Sequence, residues 1–264
     1  MSLLSTEGLT RRYAGLVAVD AVDLVVPEGG VHAVIGPNGA GKTTLFNMLS
    51  GLVAPSAGRI VFGGADITRL AAHRRAALGM ARTFQNIRVF AGMTVLENVL
   101  TGLHPRLRAG LGATILRLPG FLAEERDAVA RAQEALHVVG IGDRAEVAAA
   151  SLAYGDQRRL EIARAIAQRP RLLLLDEPAA GMNPAETAAL GLLVRRIAAA
   201  GATTVLLVEH DMGFVMRLCD SVTVLNFGRC IFAGEPAAAR SDPAVIEAYL
   251  GGRLAARLRA AHGG

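Results

Sequence analysis

Val31-His-Ala-Val-Ile-Gly-Pro-Asn-Gly-Ala-Gly-Lys-Thr-Thr44 decides the fold of this 264-residue chain. Val31 to Ile35 is an apolar run that reads as a buried strand. It feeds Gly36, Pro37, Asn38, Gly39, Ala40, Gly41, Lys42, Thr43 and Thr44, which fit the pattern G-x-x-x-x-G-K-[ST]. Leu45-Phe-Asn-Met-Leu49 then reads as a helix. A glycine-rich turn between strand and helix can cradle phosphate. Its glycines allow positive φ and close approach of the backbone. Consecutive N–H groups form an anion nest, and the helix aims its positive dipole end at the same point. Lys42 is the one lysine among 28 basic residues, the rest being arginine. A compact ammonium reaches between phosphate oxygens, where a planar guanidinium does not fit. The Thr43 hydroxyl suits Mg²⁺. Chance would produce the full pattern in about one chain in a hundred of this length.

Upstream, Leu3 to Leu9 and Val17 to Val26 alternate or run apolar like strands, and Pro27-Glu-Gly-Gly30 turns the chain into Val31. Downstream, Arg59-Ile-Val-Phe62 is a short strand, and Met80-Ala-Arg-Thr-Phe84 leads to Gln85. Past Gln85 the texture becomes helical. Thr94 with Glu97 forms a capping box that opens a helix over Val95 to Leu103. A stretch rich in Pro, Gly, Arg and Leu fills 104–122, a candidate contact with a partner or with lipid headgroups. A second helix is expected over Ala123 to Val139, with Glu124, Glu125 and Asp127 in its first turns. The mixed pattern returns with a helix over Gln157 to Ala167 and a buried strand, Leu172-Leu-Leu-Leu-Asp176. A helix capped by Asn183, with Pro184 at its first position, runs to Ala200. A strand over Thr203 to Val208, strands at Val222 to Leu225 and Cys230 to Ala233, and a helix capped by Asp242 complete the pattern. This places an α/β core at about 1–85 and 155–250, an inserted helical subdomain at about 86–154, and a tail at 251–264.

The composition, 52% hydrophobic, is ample for a core, and the net charge of +5 is spread over scattered arginines. Without a basic tract, no nucleic-acid partner is expected. Two cysteines, Cys219 and Cys230, form no metal or disulfide spacing, which favours a reducing compartment. No apolar run is long enough to cross a bilayer, and the first residues lack the pattern of a signal peptide. A membrane role would have to come through partners.

Parallel α/β sheets bind ligands beyond the C-terminal ends of their strands. Four such ends carry polar groups: Ile35 into the phosphate loop, Phe84 into Gln85, Leu175 into Asp176-Glu177, and Val208 into Glu209-His210. Phosphoryl transfer to water needs a charge clamp, a metal and a positioned water. Asp176 fits a metal-holding aspartate at a strand end. Glu177 is placed to polarise the attacking water, and His210 to contact the terminal phosphate.

Taken together, these residues resemble, in order and spacing, the nucleotide-binding subunits of ATP-binding-cassette (ABC) transporters, along nearly the whole chain. The resemblance implies a P-loop NTPase (RecA-like) domain of α/β class with an antiparallel β subdomain and an inserted α-helical subdomain. It implies ATP and Mg²⁺ as cofactors, with Thr43, Gln85 and Asp176 at the metal, Glu177, His210 and Gln85 in catalysis, and Tyr13 stacking on adenine. Leu152-Ala-Tyr-Gly-Asp-Gln157 occupies the family's signature position, so Ala153, Tyr154 and Gly155 would meet the nucleotide of an opposed protomer in a head-to-tail dimer. The common signature is Leu-Ser-Gly-Gly-Gln; here Ala153 replaces the serine, Tyr154 the first glycine, and Asn183 stands where an aspartate is usual.

These departures, with Phe84-Gln-Asn-Ile-Arg-Val-Phe90 and the ending Glu247-Ala-Tyr-Leu250, resemble the ATP-binding proteins of branched-chain amino-acid importers. That branch implies two membrane permeases, a second related ATPase or a homodimer, and a periplasmic substrate-binding protein, at the cytoplasmic face of a bacterial inner membrane. Importers of urea, amides or aromatic acids, exporters, and soluble cassette proteins acting on DNA or ribosomes share the chemistry. No residue of the chain identifies the transported substrate.

Overall fold

The computed structural model describes residues 2–103, 119–201 and 203–250. The stretch 104–122 therefore lies mostly outside the described residues, and the tail 251–264 entirely so.

Six strands form the central sheet in the order β10-β9-β3-β8-β7-β6. They are β3 (Val31–Ile35), β6 (Met80–Arg82), β7 (Leu172–Asp176), β8 (Thr204–Val208), β9 (Ser221–Asn226) and β10 (Arg229–Gly234). All neighbours are parallel except the β9–β10 hairpin. Strands covered on both faces need apolar residues at every position. In β7, Leu173 and Leu175 join one core cluster while Leu172 and Leu174 join the other. In β8, Val205 and Leu207 alternate with Leu206 and Val208 in the same way.

One face is covered by helix α1 (Lys42–Leu49) and by an antiparallel sheet of order β2-β1-β4-β5. Its strands are β1 (Ser2–Tyr13), β2 (Leu16–Pro27), β4 (Ala57–Phe62) and β5 (Ala65–Asp66). Leu45, Phe46, Met48 and Leu49 of α1 share a core with Leu4 and Leu9 of β1 and Val22 and Val26 of β2. The short helix α2 (Ala72–Ala77) carries Arg75, whose buried guanidinium donates to the Met48 and Leu49 carbonyls at 2.6 and 2.8 Å. It thus satisfies the terminal Leu49 carbonyl of α1 and adds a second donor to that of Met48, which already accepts the Gly51 N–H. Neither α2 nor β5 is apparent in the sequence, because six and two residues are too short to show a period.

The other face packs against α6 (Pro184–Ala199), α7 (Met212–Leu218) and the helices α3 (Val95–Leu103), α4 (Pro119–Val139) and α5 (Tyr154–Ile166), which pack on one another. The Thr94–Glu97 box closes at 2.8 and 3.1 Å, and the Asn183–Glu186 box at 2.9 and 3.0 Å. Several boundaries differ from the sequence expectation: β1 runs on to Tyr13, β6 stops at Arg82, α1 starts at Lys42, and two further helices start early. Helix α4 begins at Pro119, a residue suited to a first turn, so Glu124, Glu125 and Asp127 fall beyond that turn. Helix α5 begins at Tyr154 instead of Gln157, with Gly155 and Asp156 inside it. The Tyr154 hydroxyl anchors this extra turn by donating to the Ala180 carbonyl at 2.9 Å. Helices α8 (Pro236–Ser241) and α9 (Pro243–Leu250) end the described chain. Asp242 caps α9 through the N–H groups of Ala244 and Val245 at 2.9 and 3.1 Å.

Candidate nucleotide site

The parallel strands deliver the phosphate loop, Gln85, Glu177 and His210 to one edge of the sheet. An open cleft of about 530 Å³ lies there, lined by residues 38–44, Leu16, Val17, Gln85, Glu177 and Phe227. The loop's shape depends on glycine. Gly36 and Gly41 have φ of 150° and 98°. A Cβ at Gly36 would run into the Leu225 carbonyl, and one at Gly41 into the Ala18 carbonyl. Helix α1 starts directly after Gly41, so its first N–H groups have no partner within the helix.

Lys42 is 6% exposed and donates from Nζ to the Gly36 and Pro37 carbonyls at 2.7 and 3.1 Å. Burial lowers its pKa, while the carboxylates of Glu177, Asp176 and Glu209 act in the opposite direction. The neighbouring Thr43 is exposed toward the cleft.

Glu177 holds a left-handed backbone, φ 45°, an uncommon state for a residue with a side chain and one that clusters at functional sites. Its Oε2 accepts from Gln85 Nε2 at 2.9 Å and lies 3.8 Å from His210 Nδ1. Three of the expected residues therefore meet around one carboxylate oxygen. His210 is largely exposed and also lies 3.9 Å from Glu209 Oε2. Glu209 is buried and takes the N–H groups of Ala179 and His210 at 3.0 and 3.2 Å, and burial raises its pKa.

Asp176 closes β7 and is 4% exposed. Its Oδ2 accepts from Arg82 at 2.7 Å, a buried ion pair that the motif reading did not anticipate. The one sequence signal for Arg82 is a charged residue at the end of a short apolar strand. Among the described residues, no three His, Cys, Asp or Glu side chains form a metal-holding cluster. Thr43, Gln85 and Glu177 line the cleft, and Asp176, next to Glu177, is buried and does not; a hydroxyl, an amide and carboxylates are hard oxygen ligands that fit Mg²⁺ when phosphate and water complete its shell.

Tyr13 ends β1, paired in register with Leu16 at the mouth of the cleft. The residue is 40% exposed, and Arg11 covers one face of its ring at 4.5 Å from the centroid. Ala153, Tyr154 and Gly155 do not line the chain's own cleft. They form the cap and first turn of α5, next to Ala180 and Gly181. Behind them Arg158, fully buried, donates to the Phe84 and Gln85 carbonyls at 2.8 Å each and pairs with Glu161 at 3.0 Å. This buried wiring also escaped the motif reading; oppositely charged residues three apart on a helix were its one signal.

A second cleft, about 470 Å³ between α4 and α6, carries Arg131, Arg169 and Arg196. Each is already bound to a carbonyl or carboxylate: Ala167, Glu134 and Val138 respectively. The phosphate-loop cleft is therefore the better ligand site.

A P-loop at the end of β3, an acid pair at the end of β7 and a histidine after β8 define a nucleotide-binding ATPase of α/β class. Comparison with known proteins narrows the class. The family model described as "ABC transporter" matches residues 19–180, and one described as "Branched-chain amino acid ATP-binding cassette transporter" matches residues 229–255. The chain is 46% identical over 249 residues to the high-affinity branched-chain amino acid transport ATP-binding protein BraF of Pseudomonas aeruginosa, covering 94% of this chain and 98% of that one. It is 44% identical, with the same coverage, to LivG of Escherichia coli K12, which carries the same description. The ADP conformation of MJ1267, an ATP-binding cassette of an ABC transporter, superposes with a TM-score of 0.83 at 31% identity, covering 95% of this chain and 99% of that one. The chain belongs to the ABC transporter family, as an ATP-binding subunit.

Proposed function

We propose that this chain is the ATP-hydrolysing subunit of a branched-chain amino-acid importer. The observation that carries the substrate class is its likeness, over nearly full length, to transport proteins named for those amino acids, together with the match at 229–255. The partners would be two membrane permeases, a second related ATPase or a second copy of this chain, and, indirectly, a periplasmic binding protein. No helix among the described residues is long and apolar enough to cross a membrane. The subunit would therefore sit peripherally, at the cytoplasmic face of the inner membrane.

Residues 36–44 bind the phosphates of ATP. Lys42 leaves its loop carbonyls for the β- and γ-phosphate oxygens, a stronger charge-assisted pairing. Tyr13 stacks on adenine with the ring face that Arg11 leaves open. Mg²⁺, when bound, neutralises the charge that develops in phosphoryl transfer, with Thr43, Gln85 and Asp176 nearest to it. Glu177 accepts the proton of the attacking water, and His210 orients that water beside the γ-phosphate. Gln85 bonds Glu177 while its carbonyl is held by Arg158 of α5, a helix that packs on α3 and α4; a change at the nucleotide thereby reaches the helical subdomain, which we place at 86–154 within a core of 1–85 and 155–250. Ala153, Tyr154 and Gly155 would meet the nucleotide of the opposed protomer. The absent serine hydroxyl leaves that contact to the N–H groups at the start of α5.

The test is purification of Glu177→Gln from its host's membranes in ATP, with co-purifying proteins identified by mass spectrometry. Uptake of labelled leucine, isoleucine and valine is compared in parallel with urea, amide and aromatic-acid uptake in a deletion strain. Two permeases, and loss of branched-chain uptake alone, support the proposal. Ribosomal proteins or nucleic acid in place of permeases would overturn it.

A further inference from the structure

Arg82 ends β6 with its side chain almost wholly buried, 7% exposed, beside an Asp176 carboxylate that is 6% exposed. Three separate elements converge on its guanidinium. One nitrogen donates to Asp176 Oδ2 at 2.7 Å. The other donates to Asn47 Oδ1 and Ser50 Oγ, at the far end of α1, at 2.8 and 2.7 Å. The guanidinium also lies over the rings of Phe46 and Phe84, 5.8 and 5.2 Å from their centroids. Lysine, a point charge, could not span these directions at once. The arrangement ties the helix that begins with Lys42 and Thr43, the strand that leads to Gln85, and the strand that ends in Asp176. Asp176 Oδ1 accepts no hydrogen bond among the described residues.

We propose that Arg82 is a positioning residue of the nucleotide site. By holding Oδ2 it fixes the Asp176 carboxylate at the end of β7 and leaves Oδ1 for the metal that Thr43 and Gln85 would also hold. It touches neither substrate nor metal, and acts through Asp176. The inference rests on the assignment of Asp176 to Mg²⁺ made above. Its chemistry is that of a second-layer donor orienting a carboxylate ligand, whose loss weakens the ligand's hold without removing it.

ATP binding to the full chain is measured by titration calorimetry, in Mg²⁺ and in EDTA, for the wild type, Arg82→Met, Arg82→Lys, Asp176→Asn and the Arg82→Met/Asp176→Asn double variant. Thermal melts accompany each, and if Arg82→Met does not fold, Arg82→Lys carries the test. Losing one charge-assisted hydrogen bond should weaken binding in Mg²⁺ by about tenfold. Binding in EDTA should stay the same, and Arg82→Lys should fall between. In the Asp176→Asn background the Arg82 change should cost nothing further, as two residues acting through one contact require. Equal losses with and without Mg²⁺, which a purely structural ion pair would give, overturn the proposal, as does unchanged binding in Mg²⁺. If Asp176→Asn binds MgATP as the wild type does, the assignment of Asp176 to the metal fails. If Asp176→Asn is impaired and the Arg82 variants are not, this proposal alone fails.

Discussion

At the phosphate loop the ligand-binding groups are consecutive backbone N–H donors and one side chain, Lys42, held only by loop carbonyls. At the start of α5 the prominent groups are side chains already committed within the chain: Tyr154 to Ala180, and Arg158 to Phe84, Gln85 and Glu161. In the proposed function the first region receives a ligand and the second transmits its presence. Receiving phosphate requires a fixed local geometry, so its residues must be contiguous. Transmission requires buried polar links between elements distant in sequence, so its residues are scattered.

Substitutions at the two regions should therefore fail differently. The largest effect is expected at Glu177→Gln. Hydrolysis should fall by about 10²–10⁴-fold, the usual cost of removing a general base, while ATP binding is retained; single-turnover assays separate the two. An unimpaired rate would remove Glu177 as the base.

Next comes Arg158→Met, which takes the nearest cation from the buried Glu161 and leaves it Arg164 at 3.7 Å and the Arg88 N–H at 2.8 Å; it should cost about 3 kcal/mol of stability, the low end for breaking a buried pair, read from denaturant midpoints. Glu161 already has a pKa raised by burial, against the pull of Arg158 and Arg164. Loss of Arg158 should raise it further. The extra folded-state proton affinity adds stability only at low pH, and it is lost as pH rises through the elevated pKa. The variant should therefore be most impaired at neutral and alkaline pH; a stability deficit independent of pH would contradict the pairing.

The smallest effect is expected for Tyr154→Phe. Removing the bond to the Ala180 carbonyl at 2.9 Å and the long one from Arg158 at 3.5 Å, at a half-exposed site, should cost about 1 kcal/mol, a melting shift of roughly 2–4 °C for a chain of this size. If communication runs through this contact, hydrolysis will be less responsive to mixing with partner subunits than the melting shift alone explains. An unchanged response would confine Tyr154 to anchoring the first turn of α5.

The same contrast governs what could be read from the sequence. The phosphate loop, three of the four strand ends, the Thr94–Glu97 capping box and the Asn183 cap each announce themselves in a few adjacent residues and occur where the pattern places them, whereas β6 ends at Arg82, two residues before Phe84. Gln85, Glu177 and His210 were placed at one sheet edge by the rule that ligands lie beyond parallel strand ends, and the structure brings them around Glu177 Oε2. Arg82, Arg158 and Glu161 were illegible as site residues. Their roles depend on partners 94, 74 and 73 positions away: Asp176, Phe84 and Arg88. The start of α5 was misplaced for a similar reason. Gly155 and Asp156 favour a turn locally, and the hydrogen bond from Tyr154 to Ala180 overrides that preference.

The most direct measurement is calorimetric titration of MgATP into the wild type and into Lys42→Ala. The account predicts saturable binding that weakens by at least about a hundredfold in the variant, as expected for losing two charge-assisted contacts to phosphate, while the melting temperature shifts only by the loss of the Nζ bonds to the Gly36 and Pro37 carbonyls. Equal affinity in both proteins would mean that the phosphates do not rest in the loop at 36–44, and would contradict the assignment of the site.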